Sequence, residues 1–475
     1  MENRNRTPRP PIVAVLGHVD HGKTTLLDAI RKTKVAAREI GGITQHVGAY
    51  QVTTPGGLVI TFIDTPGHQA FSEMRSRGAN VSDIVLLVVA ADDGVKPQTR
   101  ESLAHINAAG VPFIVVLTKI DLPTAQPERV KDELEKENVR LEGRGGDVVV
   151  VPVSAKTGKG LETLLEMIGL VAQMHEVSGE ETATLEAVVV ESQFESKRGA
   201  LVTVVVREGK ISVGDFIHTD GVEGKVKALF DEYGKPMKVV LPGQPAQILG
   251  FESVPQVGSK VVTPMKGVES DKEEKIPPSS TLAEKGKGEF SFVVKADTVG
   301  RLEALRASLP PEVRVLSAGA GEVTLSDVML ANSFGATILG FGVKTPLPVL
   351  KLAEEEHVRV MSFSIIYEAL DWVNKAIAGK EEKKLVAGRA EIVAEFPYGE
   401  KGKIAGIRVI EGRITRSGML ALLRDGKSVG QVRINSMRQK EKDIDILEKG
   451  GECGVIFSGK IDFKVGDVIE STAGK

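Results

Sequence analysis

Three stretches of the sequence carry residue types whose spacing suits phosphoryl chemistry. The first is Gly17-His18-Val19-Asp20-His21-Gly22-Lys23-Thr24, followed by Thr25. Its end glycines let backbone N–H groups turn inward around phosphate oxygens, where the start of a helix favours negative charge. Lys23 is spaced to reach the β- and γ-phosphates, and the Thr24 hydroxyl to bind Mg2+. The second stretch is Asp64-Thr65-Pro66-Gly67-His68. Asp64 ends an apolar run, where a carboxylate can hold Mg2+ through water. The Gly67 N–H can bond a γ-phosphate and so register its presence. His68, directly after that glycine, is placed to orient an attacking water. Phosphoryl transfer asks for positioning and charge neutralisation more than for covalent chemistry. Between the two stretches, Gly41-Gly42-Ile43-Thr44 supplies a further hydroxyl, that of Thr44, to complete the Mg2+ shell. Val19 and Ile43 are expected to form an apolar gate that keeps His68 from water.

A phosphate loop serves adenine and guanine nucleotides alike, so the base must be chosen elsewhere. Thr118-Lys119-Ile120-Asp121 follows another apolar run. Guanine presents two adjacent donors, N1–H and N2–H2, and one carboxylate accepts both; adenine has no such pair. Asp121 therefore reads guanine, and a buried carboxylate left unpaired would penalise ATP. Lys119 is expected to lie along the base and brace the phosphate loop. Ser154-Ala155-Lys156 is expected to close over the guanine O6 from its backbone. The expected ligands are GTP and GDP with Mg2+.

These residues need a scaffold that brings strand ends together. From Ile12 to about His175, short β-branched runs (Ile12–Leu16, Leu58–Ile63, Ile84–Val89, Phe113–Leu117, Val148–Val153) alternate with amphipathic stretches (Thr24–Arg31, Gln98–Ala109, Glu128–Asn138, Gly160–Met174). Such alternation implies crossover connections and a mostly parallel, doubly wound sheet covered on both faces. After Ser178 the spacing tightens to strand and glycine turn (Leu185–Val190, Ala200–Arg207, Lys210–Phe216, Lys225–Phe230), which suits a small β-barrel. From Glu289 strands and helices alternate again, and from Leu385 the strand-turn spacing returns. The fold expected is therefore multidomain α/β plus β. Its parts are a GTPase domain at 1–178, a β-barrel at 179–267, a linker at 268–288, a second α/β domain at 289–364, a connecting helix at 365–384 and a C-terminal β-barrel at 385–475. The barrels share a strand-glycine-strand unit, Gly209–Gly214 against Gly412–Gly418, which suggests a repeated topology.

Composition narrows the partners. In 475 residues the net charge is -3, so basic surface for nucleic acid must be local. Leu385–Lys475 holds 16 Lys and Arg against 13 Asp and Glu, a net of +3. The single cysteine, Cys453, excludes an intramolecular disulfide framework and suits a reducing compartment. No apolar run approaches the roughly 20 residues needed to span a bilayer. Met1 to Pro11 is polar, unlike a signal peptide. A cytoplasmic monomer without membrane contact is expected.

Gly17–Thr24, Gly42–Thr44 and Asp64–His68 together resemble the translational GTPases, and that resemblance implies Asp20 as a ligand for a monovalent cation, K+ or Na+. Within that group, Gly41–Tyr50, Phe71–Ala79, Lys295-Ala296-Asp297, Gly340-Phe341, Ser364–Ala369 and Glu452-Cys453-Gly454 resemble the bacterial translation initiation factor two family. The resemblance runs from Pro11 through nearly the whole chain. It implies a factor that brings formyl-methionyl initiator tRNA to the small ribosomal subunit, works with other initiation factors, promotes joining of the large subunit, and hydrolyses GTP when the ribosome triggers it. It implies tRNA contacts in the last barrel at Arg438, Lys440, Glu452, Cys453 and Gly454. Three departures stand out. Thr118 replaces the usual asparagine, Arg438-Gln439-Lys440-Glu441 lacks the usual aromatic residue, and the family's long amino-terminal extension is not in this sequence. Three other readings remain: a tRNA-delivery or elongation type of translational GTPase, the archaeal and eukaryotic homologue of this initiation factor, against which the last barrel's sequence argues, and a GTP-gated ribosome-binding scaffold with negligible turnover.

Overall fold

The computed structural model describes residues 6–31, 33, 47–264, 290–377, 386–398, 402–416, 419–424, 427–439, 442–458 and 463–472. The expected linker at 268–288, the charged part of the connector beyond Ile377, Thr44 with Ile43, and Lys440 lie outside them. The chain divides into two compact units, Met1–Asp371 and Trp372–Lys475.

The first unit opens with a six-stranded sheet in the order Gly48–Thr53, Val59–Asp64, Ile12–Gly17, Ile84–Ala90, Phe113–Thr118, Val150–Pro152. Only the first pair is antiparallel. Alternating side chains of one strand face opposite layers. Val13 and Val15 pack with Leu26, Ile30, Leu164 and Ile168 of helices α1 (Lys23–Arg31) and α5 (Leu161–Met174). Ala14 and Leu16 pack with Leu103, Ile106, Val130 and Leu134 of α3 (Pro97–Ala109) and α4 (Pro127–Lys136). Being sandwiched on both faces explains the unbroken apolar runs. The parallel strands all deliver their carboxyl ends to one edge, which is where Gly17, Asp64, Thr118 and Pro152 end their strands. Two elements escaped the sequence reading. Gly48–Thr53 is an antiparallel edge strand of mixed polarity, and α2 (Ser72–Val81) buries the charged Arg75, which blurs its apolar stripe.

The next strands form an antiparallel sheet in the order Phe216–Thr219, Val222–Phe230, Pro245–Phe251, Gly199–Glu208, Glu186–Glu195, Lys260–Val261. Its first and last members meet through a two-way bond between His218 and Val262, 2.9 Å each way, which closes the sheet around Val189, Val202, Val204, Val226 and Ile248. The expected single strand Lys210–Phe216 is split, because Gly214 turns the chain at φ +100°.

The third part is a four-stranded parallel sheet, ordered Val313–Ala320, Phe290–Ala296, Thr337–Phe341, Val360–Phe363. Its helices are α6 (Val299–Ser308), α7 (Leu325–Phe334), α8 (Leu347–Glu355) and α9 (Ile366–Ile377). Helix α6 is held against α2 by an Arg77–Glu303 ion pair. It is also capped from the barrel, where the buried Glu191 carboxylate accepts the Gly300 N–H at 3.3 Å.

In the second unit, Val386–Tyr398, Val468–Thr472, Met419–Arg424, Lys427–Gln439, Glu452–Phe457 and Gly402–Thr415 follow one another around a sheet. The last pairs back to the first, so the barrel is closed. Ile392, Ile407, Leu420, Leu422, Val432, Val455 and Ile469 fill it.

Candidate nucleotide-binding site

The loop after Ile12–Gly17 is shaped by its glycines and its lysine. At Gly17, φ is +146° and an added Cβ would lie 2.3 Å from the Val88 carbonyl oxygen, so no other residue fits. Lys23 is buried and donates from Nζ to the carbonyls of Gly17 (2.9 Å) and His18 (2.7 Å), curling the loop over its own ammonium. Burial, opposed by the nearby Asp64 carboxylate, brings the Lys23 pKa down to about 8. A desolvated cation of this kind gains strongly from an anionic partner. Thr24 follows at the start of α1, Thr25 is exposed, and Asp20 stands exposed at φ +60°. Behind the loop, His21 Nε2 lies 3.3 Å from Asp93 Oδ2, and the His18 and His21 rings meet edge to face at 4.9 Å. Burial lowers both imidazoles, His21 to about 4, so both are neutral at pH 7. The Val19 N–H is taken by Gln98 Oε1 at 3.0 Å.

The loop after Val59–Asp64 rests directly on this one. An added Cβ at Gly67 would lie 2.3 Å from Lys23 Nζ and 3.2 Å from the Val19 nitrogen. Thr65 donates its hydroxyl to the Val15 carbonyl at 2.8 Å, which staples the loop to the central strand. Pro66 and His68 offer their carbonyls to the guanidinium of the fully buried Arg75, at 3.1 Å for Pro66, and Arg75 also pairs with Glu101 at 2.6 Å. The His68 imidazole is half-buried. Its Nδ1 shares a 2.5 Å hydrogen bond with the Tyr367 hydroxyl of α9, while Nε2 is buried and finds no partner among the described residues. Burial and the Lys23 charge lower its pKa.

At the end of Phe113–Thr118, Thr118 is buried and donates its hydroxyl to the His21 carbonyl at 2.6 Å. The brace expected from Lys119 thus comes from Thr118. The Lys119 ammonium stands 3.9 Å from Asp92, on a backbone at φ +58°. Ile120 is half-buried beside it. Asp121 is exposed rather than buried, so the expected penalty for an unpaired buried carboxylate does not hold in this form. Its Oδ1 accepts the hydroxyl of the buried Ser154 at 2.7 Å, and that bond lowers its pKa. Ala155 and Lys156 follow on the adjoining turn.

In the second unit, Arg438 is in register with Gly454 across two neighbouring strands, beside Glu452. Arg438 pairs with Asp443 at 2.6 Å and Glu452 with Arg408 at 2.6 Å. The Cys453 thiol points into the barrel, and burial pushes its pKa up to about 12. It therefore offers no surface contact. Sequence reasoning gave no role to Arg75, Gln98 or Tyr367. Their partners lie 7 to 299 positions away, and the polar run Ser72-Glu73-Met74-Arg75-Ser76-Arg77 gives no hint that Arg75 is buried.

Residues 9–174 match the elongation factor Tu GTP-binding domain, 184–263 elongation factor G domain 2, 266–374 translation-initiation factor 2, and 392–470 elongation factor Tu domain 4. Translation initiation factor IF-2 of Thermotoga sp. (strain RQ2) is 43% identical over 99% of this chain and 72% of its own length. The factor of the same name from Thermus thermophilus is 41% identical over 99% of this chain and 88% of its own. A solved structure, GDP-bound aIF5B from Aeropyrum pernix, is 27% identical and covers 98% of this chain and 92% of that one, with a TM-score of 0.46.

Proposed function

The chain belongs to the translation initiation factor IF-2 family, and from that premise we propose that its GTPase cycle serves one delivery. Formyl-methionyl initiator tRNA is brought to the small ribosomal subunit, and the large subunit then joins, in company with other initiation factors. The chain is a translation initiation GTPase that binds GTP and GDP. The observation that carries the finer reading is the match of residues 266–374 to the initiation-factor profile, beside a complete phosphate loop. An elongation-type factor would share the loop without that part.

In this reading, Lys23 and the loop amides of His18–Thr24, apart from the Val19 N–H that Gln98 holds, grip the β- and γ-phosphates. The residues present suit Mg2+: Thr24 and Asp64 offer oxygen donors beside the cradle that a Cβ at Gly67 would fill, and Thr44 would add another. The bound ion would neutralise charge on the phosphates. Asp20 would serve a monovalent cation. Asp121, steered by Ser154, reads the guanine donors, and the Ala155 and Lys156 turn covers O6. Arg75 fixes the loop that carries Gly67 and His68. Tyr367 and the burial of Nε2 keep His68 at rest, and the ribosome's contact releases it to orient the attacking water. Arg438, Lys440, Glu452 and Gly454 form the tRNA-facing part of the last barrel.

The partner is tested by ester protection. The full chain should shield formyl-methionyl-tRNA from hydrolysis better than the unformylated form. Equal protection of both removes the initiator assignment. Abundant binding of GTP and ribosomes with no stimulated turnover would favour the scaffold reading instead.

A further inference from the structure

We propose that this chain recognises guanine by its Watson–Crick edge alone and is indifferent to the nitrogen at position 7 of the purine, because the hydroxyl proton of Thr118 is committed to the phosphate loop. The proposal rests on the nucleotide reading above and deepens it to the class of base accepted: guanine nucleotides whose N7 is replaced by carbon.

The argument is one of proton supply. Thr118 ends its strand beneath the base-reading loop, with only 2% of its surface exposed. Its Oγ1 lies 2.6 Å from the His21 carbonyl oxygen, a short and well-formed bond, and the next acceptor, the Val89 carbonyl, is at 3.5 Å. A hydroxyl carries one proton. With that proton directed to His21, Thr118 presents only lone pairs to anything above it. An amide side chain at this position would carry two N–H donors, one for the loop carbonyl and one for a ligand acceptor. Purine N7 is such an acceptor, and it gains nothing from oxygen lone pairs.

Discrimination is then left to Asp121. Its carboxylate is ionised, exposed to an incoming base and set in direction by Ser154 at 2.7 Å. It answers to the N1–H and N2–H2 donors, which belong to the opposite edge of the base from N7. The brace between base loop and phosphate loop survives the threonine, while a second donor does not.

The test is competition with labelled GDP on the full chain, using GTP, 7-deaza-GTP, ITP and ATP. 7-Deaza-GTP should compete within about twofold of GTP, whereas ITP, which lacks the 2-amino donor to the carboxylate, should be about tenfold weaker or worse. A tenfold deficit for 7-deaza-GTP with ITP and ATP still discriminated overturns the proposal and leaves the guanine reading intact. Equal binding of ATP and GTP overturns both. Thr118→Asn supplies the missing donor and should make the chain prefer GTP over 7-deaza-GTP by about fivefold. A Thr118→Asn protein that binds GTP yet still treats the two alike counts against the proton argument.

Discussion

The phenolic oxygen of Tyr367 lies 2.5 Å from Nδ1 of His68, with the two rings edge to face at 4.8 Å. A residue of the third part of the chain thus fixes the ring that follows the phosphate-sensing glycine, and it leaves Nε2 facing protein rather than solvent.

If that bond is a restraint, Tyr367→Phe should raise ribosome-free GTP hydrolysis several-fold, about what losing one hydrogen bond of ~1 kcal/mol allows. His68→Ala should abolish ribosome-stimulated hydrolysis and leave GTP affinity within about twofold. Single-turnover assays with and without ribosomes check both. Undiminished stimulated turnover in His68→Ala would falsify the role given to the imidazole.

Arg75 is buried among two carbonyls and Glu101. Replacing it by methionine strands the Pro66 and His68 carbonyls and takes the guanidinium from a Glu101 that is partly exposed and still meets His105, so the expected cost is about 2 kcal/mol of stability. Arg75→Lys keeps the charge but not the forked geometry, and hydrolysis should fall further than GDP affinity. Denaturant titration and GDP binding on the same preparations separate the two effects.

At Gly17 the collision with the Val88 carbonyl leaves no room for a methyl group. Gly17→Ala should either misfold the loop or weaken GDP binding by at least a hundredfold, about 3 kcal/mol. Calorimetry on the folded variant gives the answer, and near-normal affinity would mean the loop has slack the structure denies.

Glu191 carries a pH signature. Burial raises its carboxyl from 4.5 to about 7, against the opposing N–H donors of Ser192 and Gly300. A raised carboxyl pKa favours the folded state at low pH, and this contribution fades as pH rises from about 4.5 through about 7. The difference amounts to about 3 kcal/mol. Glu191→Gln keeps an acceptor for the Gly300 N–H and removes the charge, so it should be more stable than the parent at pH 8 and no better at pH 4.5. Unfolding curves at both values test this; a pH-independent difference would place the carboxyl's titration elsewhere.

Much of this site was legible beforehand because its chemistry is local. Gly17–Thr24 and Asp64–His68 are contiguous, and the strands that end in them are apolar runs bounded by glycine or charge. The helices of the third part, such as Leu325–Phe334, followed from strand-helix alternation and end where Gly335 turns left-handed. Elements whose partners are remote were not legible. Pro245–Phe251 has a proline and a glycine that mask a strand, yet it pairs with two neighbours in the barrel. The Thr118 bond to His21 spans 97 positions and the Tyr367 bond to His68 spans 299. No periodicity encodes such contacts. Asp121 was expected buried on the strength of its role, but a carboxylate that reads a ligand from a loop tip is exposed until the ligand arrives.

Helix α9 has an optical consequence. Its Trp372, the only tryptophan in the chain, sits half-buried five positions beyond Tyr367 on the same helix. Excited at the red edge of the tryptophan band, where the four tyrosines do not absorb, the unlabelled protein therefore emits from a single indole, on the helix that grips the His68 ring. Nucleotide exchange or ribosome encounter that loosens this grip would be visible as a change in intrinsic fluorescence, without attaching any dye.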